Sequence, residues 1–146
     1  MTLALNNFPI EILAGSELLI RRHDDIFSEL SILFLHDLSK LLIKNKENKY
    51  SDVQALGFWL RERNLKKYFK KYVDKKKRIG LGLIYHITPS NIPTNFAYSF
   101  VFGLVSGNSN IIKVSEKKND QVDIILKAIK VLFNRQRYKK LKNSNL

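Results

Sequence analysis

Residues 79–112 run for 34 positions without Lys, Arg, Asp or Glu, and no other feature constrains the fold as tightly. The length alone would suit a membrane span. Within the run, however, lie Pro89 and Pro93, Gly80, Gly82, Gly103 and Gly107, and the amides of Asn91, Asn95, Asn108 and Asn110. So many amides and breakers in hydrocarbon would leave polar groups without partners. The run therefore reads as the buried middle of an α/β unit and not as a span. No leader is read in residues 1–20 either: no basic segment precedes an apolar stretch, and Glu11 and Glu17 interrupt it. The expected location is the cytoplasm.

The run divides by period. Residues 79–87 (IGLGLIYHI) predict a strand, and the two prolines make residues 88–93 a loop. Residues 94–105 predict a buried helix, with Gly107 placed for a left-handed cap. Residues 109–114 predict a second strand. Residues 119–133 predict a second helix that turns Ile124, Ile125, Ala128, Ile129 and Leu132 inward. Strand, helix, strand, helix points to a parallel βαβα arrangement.

Upstream, Ile26, Leu30, Leu33, Phe34, Leu38, Leu41 and Leu42 keep helical spacing over residues 26–43. A polar loop over 44–50 follows. Ser51 with Gln54 then reads as a capping box opening a second helix. Val53, Leu56, Trp59, Leu60 and Leu65 carry its apolar stripe, and Tyr68, Phe69 and Tyr72 extend it toward residue 78. At 146 residues the chain suits one domain. Its expected parts are a helical N-terminal region (1–78), the start of a nucleotide-binding unit (79–133) and a basic polar tail (134–146).

The charge invites anionic partners, with 26 Lys and Arg against 13 Asp and Glu and a net charge of +13. An A/T-rich coding sequence, which also favours Asn and Ile, is a competing source of the lysines. Charge alone therefore does not choose between phosphates, membranes and nucleic acid. The densest basic stretch lies between Arg61 and Arg78, where the acids are Glu62 and Asp74. The chain has no cysteine, which removes disulfides, thiolate metal sites and a thiolate nucleophile of its own.

The common short motifs for phosphate loops, dinucleotides and metals are absent, and no metal site is expected. His23, His36 and His86 are far apart and read as surface or satisfied histidines, with His86 nearest the loop. In open α/β sheets ligands bind beyond the carboxyl ends of the strands. Residues 88–93 and Lys113 to Glu116 both fall there. The Asn91 amide suits a developing oxyanion, and Lys113 and Glu116 suit a nucleotide ribose or phosphate. The competing structural role is for Asn91 to cap the helix behind it and for Lys113 and Glu116 to be solvated.

Residues 80–116 (GLGLIYHITPSNIPTNFAYSFVFGLVSGNSNIIKVSE) resemble the start of the cofactor-binding domain of the aldehyde dehydrogenase superfamily. The matching features are a strand, the Pro89-Ser90-Asn91 loop, a helix ending at Gly107-Asn108, and a strand closing on Lys113-Val114-Ser115-Glu116. Ser90, followed by Ile92-Pro93-Thr94, makes the luminescence-type fatty acyl-CoA reductases the nearest branch. Leu56-Gly57-Phe58-Trp59-Leu60-Arg61 is similar to that branch's helical N-terminal region. The resemblance covers about residues 25–133.

The resemblance implies a Rossmann-type parallel sheet, here only its first part, and reduction of an acyl-CoA thioester to an aldehyde with NADPH. It implies Asn91 as the oxyanion donor. It places Thr88, Pro89 and Ser90 on the nicotinamide side and Lys113 and Glu116 at the adenosine ribose. Glu116 leans against a ribose 2′-phosphate, so NADPH over NADH rests on the family. The family's catalytic cysteine has no counterpart here, so the chain reads as an N-terminal fragment that is inactive alone. A C-terminal half or a second copy is then the expected partner. The alternative is a nucleic-acid-binding or interaction module built on helix 51–78, with Tyr68 or Tyr72 stacking on bases.

Overall fold

The uncharged run forms a parallel strand pair with a helix packed across it, in a computed structural model that describes residues 2–4, 11–45, 49–72 and 78–146. The elements in chain order are β1 (Thr2–Ala4), β2 (Leu18–Ile20), α1 (Glu29–Lys44), α2 (Ser51–Trp59), α3 (Glu62–Tyr72), β3 (Leu83–Ile87), α4 (Asn95–Val105), β4 (Ser109–Lys113), α5 (Asp120–Phe133), a 3-10 turn (Gln136–Tyr138) and α6 (Lys139–Lys142). The α/β class read from the sequence is what the structure shows. β3 and β4 pair in register from Leu83 opposite Ser109 to Ile87 opposite Lys113. β1 and β2 form a separate antiparallel ladder, so the N-terminal region is not purely helical.

The predicted helices form with local differences. α1 begins at Glu29, because Ser28 caps it and Phe27 sits at φ 51°, a backbone state that cannot continue a helix. The expected capping box at Ser51 does not form: Tyr50 is the N-cap, and Ser51 is already helical. The helix expected over 51–78 breaks at Leu60. There the Phe58 carbonyl accepts from the Arg61 amide (3.3 Å) and from the Asn64 side chain (2.9 Å). Leu60 and Leu65 are five residues apart, off any one stripe of a straight helix, and the break lets both be buried. The expected strand over 79–87 shortens to Leu83–Ile87, with Ile79 in an isolated antiparallel bridge to Asp25.

α4 is apolar on nearly every side: it lies between the strand pair and α1, and Phe102 alone of its large apolar residues is exposed. Phe34 of α1 is fully buried where the layers meet, edge-on to Phe100 and Tyr138 and stacked on Phe133. α2 packs closely along α1, and a Cβ on Gly57 would sit 3.0 Å from Ile43 Cγ1. A glycine that weakens a helix by about 1 kcal/mol is thereby explained by the close approach. After α4 the chain turns at Gly107, at φ 77°, as expected for a left-handed cap.

Residues 134–146, read as a basic polar tail, are folded in. Tyr138 and Leu141 are buried in the core, and Asn145 bridges Asn110 in parallel fashion. The Leu146 amide donates to the Asn110 carbonyl (2.8 Å), and the Ile112 amide donates to Leu146 (2.8 Å). Basic composition misleads here because Lys139, Lys140 and Lys142 occupy one face while Tyr138 and Leu141 turn inward. Among the described residues, no helix is long and apolar enough to cross a membrane.

Candidate functional site

Beyond the carboxyl ends of β3 and β4, two loops face each other across an open cleft of about 370 Å³. The β3 loop contributes Thr88 and Ser90, and the β4 loop contributes Lys113, Ser115, Glu116 and Lys117. Parallel pairing puts both strand ends on the same side, and Thr88 then ties the loops by donating its hydroxyl proton to the Lys113 carbonyl (3.0 Å). In the β4 loop, the Lys117 amide donates to Ser115 Oγ (3.2 Å), a local turn that bends the chain before α5.

α5 is anchored behind this loop. Asn119 caps it by accepting from the Gln121 and Val122 amides at 3.0 and 3.4 Å. Tyr50 donates to Asp120 (2.6 Å), and Gln121 donates to Asp52 (2.7 Å), so the start of α2 braces the start of α5.

Of the residues singled out in the sequence, Thr88, Ser90, Lys113 and Glu116 line this cleft. Pro89 lines a smaller adjoining depression with Pro93, Phe96 and Val114. Asn91 is exposed and lines neither. It does not cap α4 either, since Thr94 is the N-cap, and among the described residues the Asn91 amide has no hydrogen-bond partner. His86 points away from the cleft, under the strand pair, where its Nε2 meets Asn110 Oδ1 at 3.0 Å. Lys117 is a cleft residue that sequence reasoning passed over; its signal was its place directly after the Lys113 to Glu116 motif.

The donor set is two ammonium groups, one carboxylate and the hydroxyls of Thr88, Ser90 and Ser115, beside the apolar Ile87 and Val114. Such a set can hold an anion, a polyhydroxyl group, or a ligand carrying both. The volume lies within the roughly 300–1,000 Å³ of small-molecule sites. Comparison with family models matches residues 35–140 to the acyl-CoA reductase (LuxC) model. The chain belongs to the acyl-CoA reductase (LuxC) family. The match runs from within α1 to the first residues of α6 and so contains both cleft loops. Searches of curated proteins and of solved structures returned no match.

Proposed function

We propose that this chain supplies the helical region and the first nucleotide-binding strands of an enzyme that reduces an acyl-CoA thioester to an aldehyde. The observation that carries the reading is the cleft at the strand ends, lined by Lys113 and Glu116 opposite Thr88 and Ser90, within the part that matches the family. The sheet is read as the beginning of an aldehyde-dehydrogenase-like, Rossmann-type sheet. Support for that comes from the parallel β3–β4 pair, from residues 144–146 adding to the free edge of β4, and from the uncovered face bearing Tyr85 and Ile87.

A nicotinamide dinucleotide fits the donor set. Glu116 offers two acceptor oxygens to ribose hydroxyls, and Lys113 and Lys117 offer cations to phosphate. When bound, the cofactor supplies hydride. Glu116 would repel a ribose 2′-phosphate, while the neighbouring lysines would attract one, so the preference for NADPH comes from the family. Thr88, Pro89 and Ser90 would lie on the nicotinamide side. Asn91, exposed and unpartnered among the described residues, would donate its amide N–H to the thioester oxygen as negative charge develops there. The chain has no cysteine, so the nucleophile must come from another portion of the enzyme, and this chain alone is inactive.

Nuclear magnetic resonance titration of the chain with NADPH and NADH tests the reading. Shifts are expected at Thr88, Ser90 and residues 113–117, and Glu116→Ala should abolish them without changing the rest of the spectrum. No aldehyde should form from palmitoyl-CoA and NADPH. Shifts absent from those loops, or turnover by the chain alone, would overturn the assignment.

A further inference from the structure

α3 carries more positive charge than the acids described around it engage. From Arg61 to Tyr72 the sequence has six basic residues, and Glu62 is the acid among them. Glu62 is engaged by Lys66 at 2.5 Å. Arg63, Lys67 and Lys70 follow at i, i+4 and i+7, a single exposed stripe opposite the buried Leu65. Among the described residues, none of these three has an acidic partner.

Beside the stripe lies a rim of exposed aromatic carbon. Phe102 is 58% exposed and Phe58 is 45% exposed, both unusual for large apolar rings. Trp59 joins the rim together, with ring centroids 5.6 Å from Phe102 and 6.2 Å from Tyr68. Tyr68 belongs to α3 and directly follows Lys67, about 100° further round the helix, so the rim borders the stripe, and the Arg61 guanidinium 4.3 Å above the Phe58 ring adds a cation beside it.

We propose that this surface docks the protein on an anionic phospholipid bilayer. Cations in register over a convex helix meet lipid phosphates, and the aromatic rim enters the headgroup boundary, where rings of this kind are favoured. The ring geometry chooses lipid over single-stranded nucleic acid. Base stacking needs an open ring face, whereas Phe58 is covered by Arg61, and Tyr68 and Phe102 lean on Trp59 at 63° and 58°. A bilayer interface accepts ring edges without directional demand. The surface lies apart from the strand-end cleft, so the inference does not depend on the nucleotide assignment.

Trp59 is the single tryptophan of the chain and therefore reports on the rim directly. The 146-residue chain would be mixed with vesicles of phosphatidylcholine, and with vesicles containing one third phosphatidylglycerol. Co-sedimentation with the anionic vesicles only, release by 0.5 M NaCl and a blue shift of Trp59 emission are expected. Each lysine near an anionic surface contributes about fivefold to partitioning, so Lys67→Glu with Lys70→Glu should lower binding more than about twentyfold. Phe102→Ser should weaken binding with an unchanged salt slope. Circular dichroism melting checks that the variants fold, and Lys67→Gln with Lys70→Gln serves if the charge reversal does not. Equal binding to neutral vesicles, no binding at low salt, or indifference to the lysine changes would overturn the proposal. So would displacement of bound vesicles by oligo(dT) with the same residue dependence, which would assign the surface to nucleic acid.

Discussion

Tyr138 donates its hydroxyl proton to Asp37 Oδ2 at 2.8 Å, joining the 3-10 turn to the middle of α1. Both residues are buried, and Arg135, Arg137 and Lys40 converge on the same carboxylate. A single acid on α1 therefore holds the segment that leads into residues 144–146, which in turn extend the sheet.

Removing that acid leaves the Tyr138 hydroxyl buried without its acceptor. Asp37→Ala should cost about 2–3 kcal/mol, at the lower end for a broken buried pair because the arginines remain half exposed. Urea unfolding measures it, and a loss below about 0.5 kcal/mol, as at an ordinary surface site, would refute the latch.

Acid should act through the same group. Burial pushes the Asp37 carboxyl up, but the Tyr138 hydrogen bond and the Arg137, Lys40 and Arg135 charges together hold its pKa below the ordinary 3.8. A depressed carboxylate contributes stability that is full above the unfolded value and lost as pH falls through the folded one. Stability should thus decline below about pH 4, and the decline should be shallower in Asp37→Asn. Parallel slopes in urea titrations from pH 5 to pH 2 would count against it.

Alkali acts on the partner. Burial and then the Asp37 hydrogen bond push the Tyr138 phenol from 10.0 up to about 12. A raised pKa contributes stability below the unfolded value that is lost as pH rises through the folded one. The stability should therefore fall between pH 10 and 12, and spectrophotometric titration should find a late phenol that Tyr138→Phe removes.

Gly103 of α4 lies against the Asn110 side chain, whose amide binds His86 at 3.0 Å and Asn145 at 2.7 Å. A Cβ there would collide with the Asn110 oxygen. Gly103→Ala should destabilise by about 1–3 kcal/mol, and Asn110→Ala in the same chain should recover less than the clash costs, since it strands the two partners. A double-mutant cycle in urea reads both terms.

Asn91→Ala should leave thermal stability within about 0.5 kcal/mol, because the residue is exposed and Thr94 caps α4. A loss of 1 kcal/mol or more in calorimetry would reveal a capping role and undercut its assignment to chemistry.

The α/β order was legible from the uncharged run, whose apolar strand segments flank a loop marked by two prolines, but its expected full burial was not met, since Leu81, Tyr85 and Ile87 are exposed. Lys113 and Glu116 were legible as cleft residues from their place after a strand. Lys117 was missed because a charged residue in a polar loop carries no period. Asn91 sits in the expected loop but outside the cleft, since sequence spacing places a residue along the chain and not around a rim.

Local sequence sufficed for the element types over residues 79–133, the left-handed turn at Gly107 and the family. These depend on local periods, on glycine and proline backbones and on contiguous motifs. The break at Leu60, the burial of residues 134–146 and the meeting of Asp37 with Tyr138 were decided only by the tertiary structure. Each depends on which surfaces meet across long separations, where packing and partner satisfaction outweigh local composition.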